Sequence, residues 1–149
     1  MTGWDQFAEG LAQHLAELPA GAVVKVVESD DSADVARYAQ FLQSEDTLFA
    51  EIVGDEWLDP DLGAGEAGAR LLTEAGWQQP DETHSGNWWL DTPWPIDSAT
   101  YRRIASMVVT GLRDAFRIAD PAAFHYEAWN GNAGNRKLDL PLLGLPAQG

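Results

Sequence analysis

Three short segments rich in β-branched residues, separated by tight polar turns, constrain the fold of this chain most. They are AVVKVVE (22–28), VARYAQFLQ (35–43) and TLFAEIVG (47–54). β-branched and aromatic residues favour strands. Turns of a few residues join only antiparallel neighbours, because parallel strands need a crossover of a dozen residues or more. The sequence therefore predicts an antiparallel meander.

Helical periodicity surrounds this meander. Apolar residues recur at helical spacing over 3–17, at about 65–75 and at about 98–118. The segments NWWLD (87–91) and AFHYEAWN (123–130) are typical of two further strands. The predicted order is α-β-β-β-α-β-α-β. We expect an α+β fold in which helices pack on an antiparallel sheet of about five strands.

The length of 149 residues predicts a single domain over 1–149. The segment GNAGNRK within 130–137 is rich in Gly and Asn, which predicts a flexible loop. The closing segment LDLPLLGLP (138–146) is too apolar to remain in solvent, so we expect this tail to dock on the body of the protein.

The net charge of −15 limits the partners. Such a field repels nucleic acid and anionic membranes, and it attracts basic proteins. The chain has no cysteine, which excludes disulfides and thiolate chemistry and fits a reducing compartment. We find neither a signal peptide nor an apolar run near the roughly 20 residues that span a bilayer, so we expect a cytoplasmic protein.

The sequence lacks a convincing catalytic or metal-binding motif. A G-x-G-x-x-G pattern occurs at 63–68, but the acidic loop at 55–61 precedes it, where a dinucleotide site needs a strand. The same acids do not follow the calcium-binding EF-hand spacing. His125 and Glu127 share a strand face, yet two groups do not make a metal site. We therefore predict no catalytic residues, no cofactor and no metal.

Strand alternation predicts a sheet with two apolar faces. In the third strand, Leu48 and Ile52 point one way and Phe49 and Val53 the other. The second face mixes Phe, Val and Trp with Lys, Glu and Arg37, whereas a solvated face would be mostly polar. Such a face has three explanations. The tail or a helix covers it, it forms a homodimer, or it binds a peptide.

The segment NWWLDTPWPID (87–97) divides between these two faces. Trp88 points with Leu90 toward the core, and Trp89 points the other way. Trp94 lies between two prolines in the connection to the long helix. The candidate partner-binding residues are Trp89, Trp94, Phe49, Val53, Val23 and Val27.

The chain resembles the bacterial TY-Chap family, which groups type III secretion chaperones with YbjN-like proteins. The residues that carry this resemblance are RYAQFLQ, AEIVG, LLTEAGWQQP, NWWLDTPWPIDSATYRRIASMVVTGLRDAF, FHYEAWN and LDLPLLGLP. The resemblance implies helices packed against a curved antiparallel sheet. It also implies binding of an extended segment of another protein without ATP and without catalysis. Small acidic dimers are common among the secretion chaperones.

We therefore expect a non-enzymatic, chaperone-like domain that binds a protein or peptide partner. Its apolar pockets would take partner side chains, and strand addition to an exposed sheet edge is a second mode. The alternative is an acidic immunity or antitoxin protein that neutralises a basic toxin. A chaperone takes extended segments, whereas an immunity protein takes one folded target.

Overall fold

The computed structural model of the protein describes residues 3–29 and 35–147. Its helices and strands are α1 (Trp4–Glu17), β1 (Ala22–Glu28), β2 (Tyr38–Gln43), β3 (Thr47–Ile52), α2 (Gly65–Ala75), β4 (Trp88–Pro93), α3 (Ser98–Val109), β5 (Phe124–Asn130) and β6 (Arg136–Lys137). The predicted α+β class and element order are confirmed. The strand count is six rather than about five, because β6 forms within the segment predicted to be a loop.

The six strands form one antiparallel sheet in the order β4-β3-β2-β1-β5-β6. The first three strands form the predicted meander. β4 then pairs with the free edge of β3. After α3 the chain crosses to the opposite end of the strand order, where β5 pairs with β1. β1 therefore lies in the interior of the sheet, with its register fixed by a neighbour on each side.

The helices pack on one face of the sheet, which we call the core face. Its central side chains, Val26, Phe41 and Ile52, are at most 1% exposed. α3 continues into a π-helical turn (Thr110–Ala115) that passes very close to the sheet. A Cβ at Gly111 would lie 2.5 Å from Cδ1 of Ile52, so the absence of a side chain allows this close approach without a shift of Ile52. The predicted long helix thus ends as a π turn packed on β3.

The C-terminal tail packs against α1 and the outer edge of β5, and it leaves the second face of the sheet uncovered. Leu140 and Leu143 are buried in the core. The backbone N–H of Leu142 donates to Nε2 of His14 at 3.0 Å. A Cβ at Gly10 would lie only 2.0 Å from the Leu142 carbonyl oxygen. The glycine in α1 thus allows the tail to approach, and the tail extends the core.

Arg37 also lies on the core side, so the prediction that it belongs to the second face is wrong. Its Nη2 is 2.6 Å from Oε2 of Glu28, and its Nη1 donates to the Phe116 carbonyl at the end of the π turn. The physical reason is strand alternation, because Arg37 lies two residues before the buried Ala39. The Arg37–Glu28 pair joins the sheet to the end of α3.

Candidate functional site: the open face of the sheet

The second face of the sheet carries side chains from β1 to β5 that are half-buried or exposed. We call this surface the open face. Its residues are Val23, Lys25, Val27, Tyr38, Gln40, Leu42, Phe49, Glu51, Trp89, Asp91, His125, Glu127 and Trp129. Strand register places them in rows that run across the strands, because directly paired residues of neighbouring strands lie side by side.

The first row is apolar over four strands. Trp129 pairs with Val23, Val23 pairs with Leu42, and Leu42 pairs with Phe49. We call these four residues the apolar row. Leu42 is 42% exposed, and Phe49 and Val23 are half-buried. Exposed apolar side chains placed side by side form a continuous patch, which is typical of a surface that contacts another molecule.

The second row is polar. Glu127 pairs with Lys25, Lys25 pairs with Gln40, and Gln40 pairs with Glu51. We call these four residues the polar row. Nζ of Lys25 lies 5.9 Å from the ring centroid of Trp129, so this cation extends toward the apolar row. The two carboxylates lie on the outer strands of this row, one on each side of Lys25.

Glu51 is held in place by buried neighbours. Its Oε1 accepts from Nδ2 of Asn87 at 2.9 Å and from Nε2 of Gln40 at 3.2 Å. Asn87 is 1% exposed, and its Oδ1 accepts from the N–H of Gly54. The same amide donates to Oη of Tyr38, and burial raises the pKa of this phenol. The carboxylate is thus oriented by neutral hydrogen-bond donors.

The loop that carries His84 covers Trp89, at the β4 end of the open face. The ring of His84 stacks on Trp89 with centroids 3.8 Å apart, and Nε1 of Trp89 donates to the Gln79 carbonyl. Nδ1 of His84 lies 2.7 Å from Oδ1 of Asp81, and this hydrogen bond is the main cause that lowers the pKa of Asp81. Trp89 therefore has a partner within its own chain.

The structure brings together only some of the predicted partner-binding residues. Val23 and Phe49 belong to the apolar row, with Leu42 between them. Val27 lies beyond the polar row, paired with Tyr38. Val53 is 0% exposed, so the surface does not include it.

The other two predicted residues lie at the margins. Trp89 is stacked under His84 at the edge of the sheet. Trp94 is 53% exposed and follows the end of β4, where its N–H donates to the Asp46 carbonyl. Trp94 is therefore accessible but stands outside the rows of the sheet.

The candidate partner-binding residues did not include Leu42, Trp129 or Glu51, although strand alternation already placed Glu51 on the second face. Alternation alone places them on the open face, since Leu42 follows Tyr38 and Gln40 at period two. What alternation does not give is the register that brings residues of four strands into one row. That register depends on long-range pairing and on the return of β5 to β1.

The sheet edges offer little room for an added strand. The outer edge of β5 is occupied by backbone bonds from Asn135, Leu138 and the Pro146 carbonyl. The outer edge of β4 pairs with Gln78 at Trp89. The next outward residues there are Asp91 and Pro93, and proline has no N–H to donate. A partner would therefore meet the face of this sheet more readily than its edge.

Ser29, His125 and Glu127 lie near one another at the end of β1 and along β5. Ser29 Oγ lies 3.1 Å from Nδ1 of His125, but Nε2 of His125 is 3.8 Å from Glu127, which is too long for a hydrogen bond. Within residues 3–29 and 35–147, no group of three His, Asp or Glu side chains could hold a metal.

The G-x-G-x-x-G pattern has a structural explanation. The Asp55 carboxylate accepts from the backbone N–H groups of Ala64 and Gly65, at 2.8 and 2.9 Å. A Cβ at Gly63 would lie 2.9 Å from this carboxylate. An acid of the chain itself therefore occupies the start of α2, where a phosphate would otherwise bind.

Comparison with known protein families identifies a matching family model. A family model described as T3SS (YopN, CesT) and YbjN peptide-binding chaperone 3, or TY-Chap3, covers residues 1–130. Neither the curated proteins nor the solved structures include a match to the chain. No helix in the described part of the chain is long and apolar enough to cross a membrane. Since the family model covers most of the sequence, the chain belongs to the TY-Chap3 family of peptide-binding chaperones.

Proposed function

We propose that the protein is a non-enzymatic chaperone domain that binds an extended segment of another protein on the open face, without ATP. The observation that carries this proposal is the apolar row, in which four apolar side chains from four strands lie side by side. Membership of a peptide-binding family supports it. Such a patch leaves apolar area in water, and a partner that covers it removes that cost.

The surroundings of the row favour a basic partner in the cytoplasm. On the open face Glu51, Glu127 and Asp91 outnumber Lys25 and the neighbouring Lys137 of β6, and the chain carries a net charge of −15. This field steers basic segments toward the row and repels nucleic acid. The absence of cysteine fits a reducing compartment. Binding by the face also requires no free backbone groups at a sheet edge.

Binding to a peptide array tests this proposal. The protein is incubated, with and without ATP, on an array of overlapping peptides from bacterial proteins, and the best peptides are then titrated in solution. We expect micromolar binding that ATP does not change. The double variant Leu42→Ser with Trp129→Ser should lose most of it. The matched control is Trp57→Ser with Leu142→Ser, which removes two exposed apolar side chains elsewhere.

Three outcomes would contradict the proposal. Equal losses in both double variants would mean that the apolar row is not the binding surface. Binding to one folded protein, with no affinity for any linear peptide, would favour the immunity alternative. Light scattering that shows a homodimer, which the apolar-row variant converts to a monomer, would assign the open face to a second copy of the chain.

A further inference from the structure

A hollow of about 320 Å³ lies on the open face between the apolar and polar rows. Its lining combines two kinds of side chain. Val23, Leu42 and Phe49 are apolar, Phe41 contributes from the core, and Gln40 and Glu51 are polar. A pocket with apolar walls and one carboxylate matches a side chain that has an aliphatic stem and a cationic end.

We propose that this hollow binds a lysine or arginine side chain of the partner, and this inference rests on the proposed function. The aliphatic stem packs on Leu42 and Phe49, and the cation meets the Glu51 carboxylate. Lysine and arginine bury their stems along apolar surfaces while their charged ends remain solvated or paired. Glu51 is thereby a specificity-determining residue within the peptide-binding face.

The contacts of Glu51 support this assignment. Both of its hydrogen bonds, from Asn87 and Gln40, go to Oε1. Among the residues that the structure describes, none forms an ion pair with it within 4.0 Å. The carboxylate is therefore oriented by neutral groups while its charge is left for an external cation. A charge-assisted bond to such a preorganised carboxylate is stronger than a neutral one.

Lys25 does not supply the cation that would pair with Glu51. Lys25 is two strands from Glu51, with Gln40 between them. Its Nζ lies 5.9 Å from the ring centroid of Trp129, on the far side of the apolar row. Lys25 therefore lies toward the other end of the surface and does not line the hollow.

Other occupants fit less well. A wholly apolar side chain would remove water from Glu51 without supplying a counter-charge, and burying an unpaired carboxylate is costly. An acidic side chain would meet repulsion from Glu51 and from the net charge of −15. The hollow thus discriminates among extended segments by charge as well as by apolarity.

Nuclear magnetic resonance titration with short peptides tests the inference. The probes are acetyl-Val-Lys-Val-amide and acetyl-Val-norleucine-Val-amide, which differ only in the terminal amine. We expect the lysine peptide to shift the backbone amides of Gln40, Leu42, Phe49 and Glu51, and to bind about threefold to tenfold more tightly than the norleucine peptide. Glu51→Gln should abolish that preference, since its side chain keeps Oε1 as an acceptor but loses the charge.

Glu74→Gln is the matched control, because it removes one exposed carboxylate from α2 on the opposite side of the sheet. It should keep the preference for lysine. Equal affinities for the two peptides in the wild type would overturn the inference. So would a lysine peptide that leaves these amides unmoved up to its solubility limit, or equal losses in Glu51→Gln and Glu74→Gln.

The two proposals fail in different ways. If array-selected peptides lose binding in the Leu42→Ser and Trp129→Ser variant but bind Glu51→Gln normally, the peptide-binding face stands and the cation pocket falls. If neither variant changes their binding, both proposals fall together.

Discussion

The two faces of the sheet are built from the same strands, yet they differ in how they use apolar residues. On the core face, the side chains of β1 to β3 are almost all apolar, and Val26, Phe41 and Ile52 are at most 1% exposed. On the open face, Leu42 is 42% exposed, and apolar and polar residues lie in separate rows. Folding requires the first arrangement, since burial of apolar area drives it.

The second arrangement needs a different explanation. The apolar residues of the open face are neither scattered singly nor covered by the tail, which packs on α1 instead. They are contiguous, and the polar row with its carboxylates lies directly beside them. Along each strand, alternate residues therefore have different roles. One set packs in the core, and the other set forms the open face. Substitutions on the two faces should accordingly separate stability from binding.

The largest expected effect compares two phenylalanines. Phe41→Ala on the core face should lower the free energy of unfolding by about 3 to 5 kcal/mol, because it removes a buried ring and leaves a cavity. Phe49→Ala, on the adjacent strand but on the open face, should cost about 1 kcal/mol. Urea denaturation of both variants measures the difference. Equal losses would mean that the open face is buried in solution, by a second copy or by another part of the chain.

An intermediate effect tests whether the tail belongs to the core face. Gly10→Ala would place a Cβ 2.0 Å from the Leu142 carbonyl oxygen, so α1 and the tail must separate. We expect a loss of about 1 to 3 kcal/mol in the free energy of unfolding. Faster hydrogen exchange at the Leu142 and Leu143 amides should accompany it. Thermal unfolding and exchange measurements check both.

Gly3→Ala is the control for this prediction, because a Cβ there meets nothing within 4 Å. It should lower the free energy of unfolding by only about 0.5 kcal/mol, because Gly3 is the N-cap of α1 and alanine is a poorer N-cap than glycine. If Gly10→Ala behaves like Gly3→Ala, the tail does not pack closely on α1 in solution, and it becomes available to cover the open face.

Local patterns predicted the secondary structure well, for physical reasons that particular elements illustrate. Asp97 begins α3 by accepting from the Thr100 N–H at 2.8 Å, and Gly76 ends α2 with φ of 117°. Such signals act within a few residues, so the sequence contains them in full. β6 has only two residues and no pattern of its own, because it exists through pairing with β5. The sequence therefore predicted a loop there.

The candidate site was harder to predict, because it depends on register and loop packing. Phe49 and Val23 were identified from alternation, but Leu42, which joins them, was not. Val53 has the right alternation to face outward, yet it is 0% exposed beyond the end of β3. The stack of His84 on Trp89 likewise joins residues whose contact no local pattern indicates. The alternation of a strand predicts the face on which a residue lies. Its neighbours on that face depend on the pairing of the strands in the folded sheet.

The smallest expected effect is a pH dependence of the tail contact. Neutral Nε2 of His14 accepts from the Leu142 N–H, and burial lowers the pKa of this imidazole below its ordinary value of 6.5, against a smaller opposing effect of Glu17. As the pH falls, the His14 imidazole of the unfolded chain is therefore protonated at a higher pH than that of the folded chain. The contribution of neutral His14 to the free energy of unfolding is complete above the pKa of the unfolded chain. It is lost as the pH falls through 6.5 toward the lower pKa of the folded chain.

We expect a loss of less than about 1 kcal/mol between about pH 7.5 and pH 5 from this group. His14→Gln provides the comparison, since the glutamine carbonyl can accept the same bond and does not titrate. All other residues are the same in both proteins, so the difference between the two stability curves isolates His14. A difference that stays constant with pH would mean that the His14–Leu142 bond does not couple protonation to the tail. The tail would then stay packed on α1, and the open face would stay uncovered, independently of pH in this range.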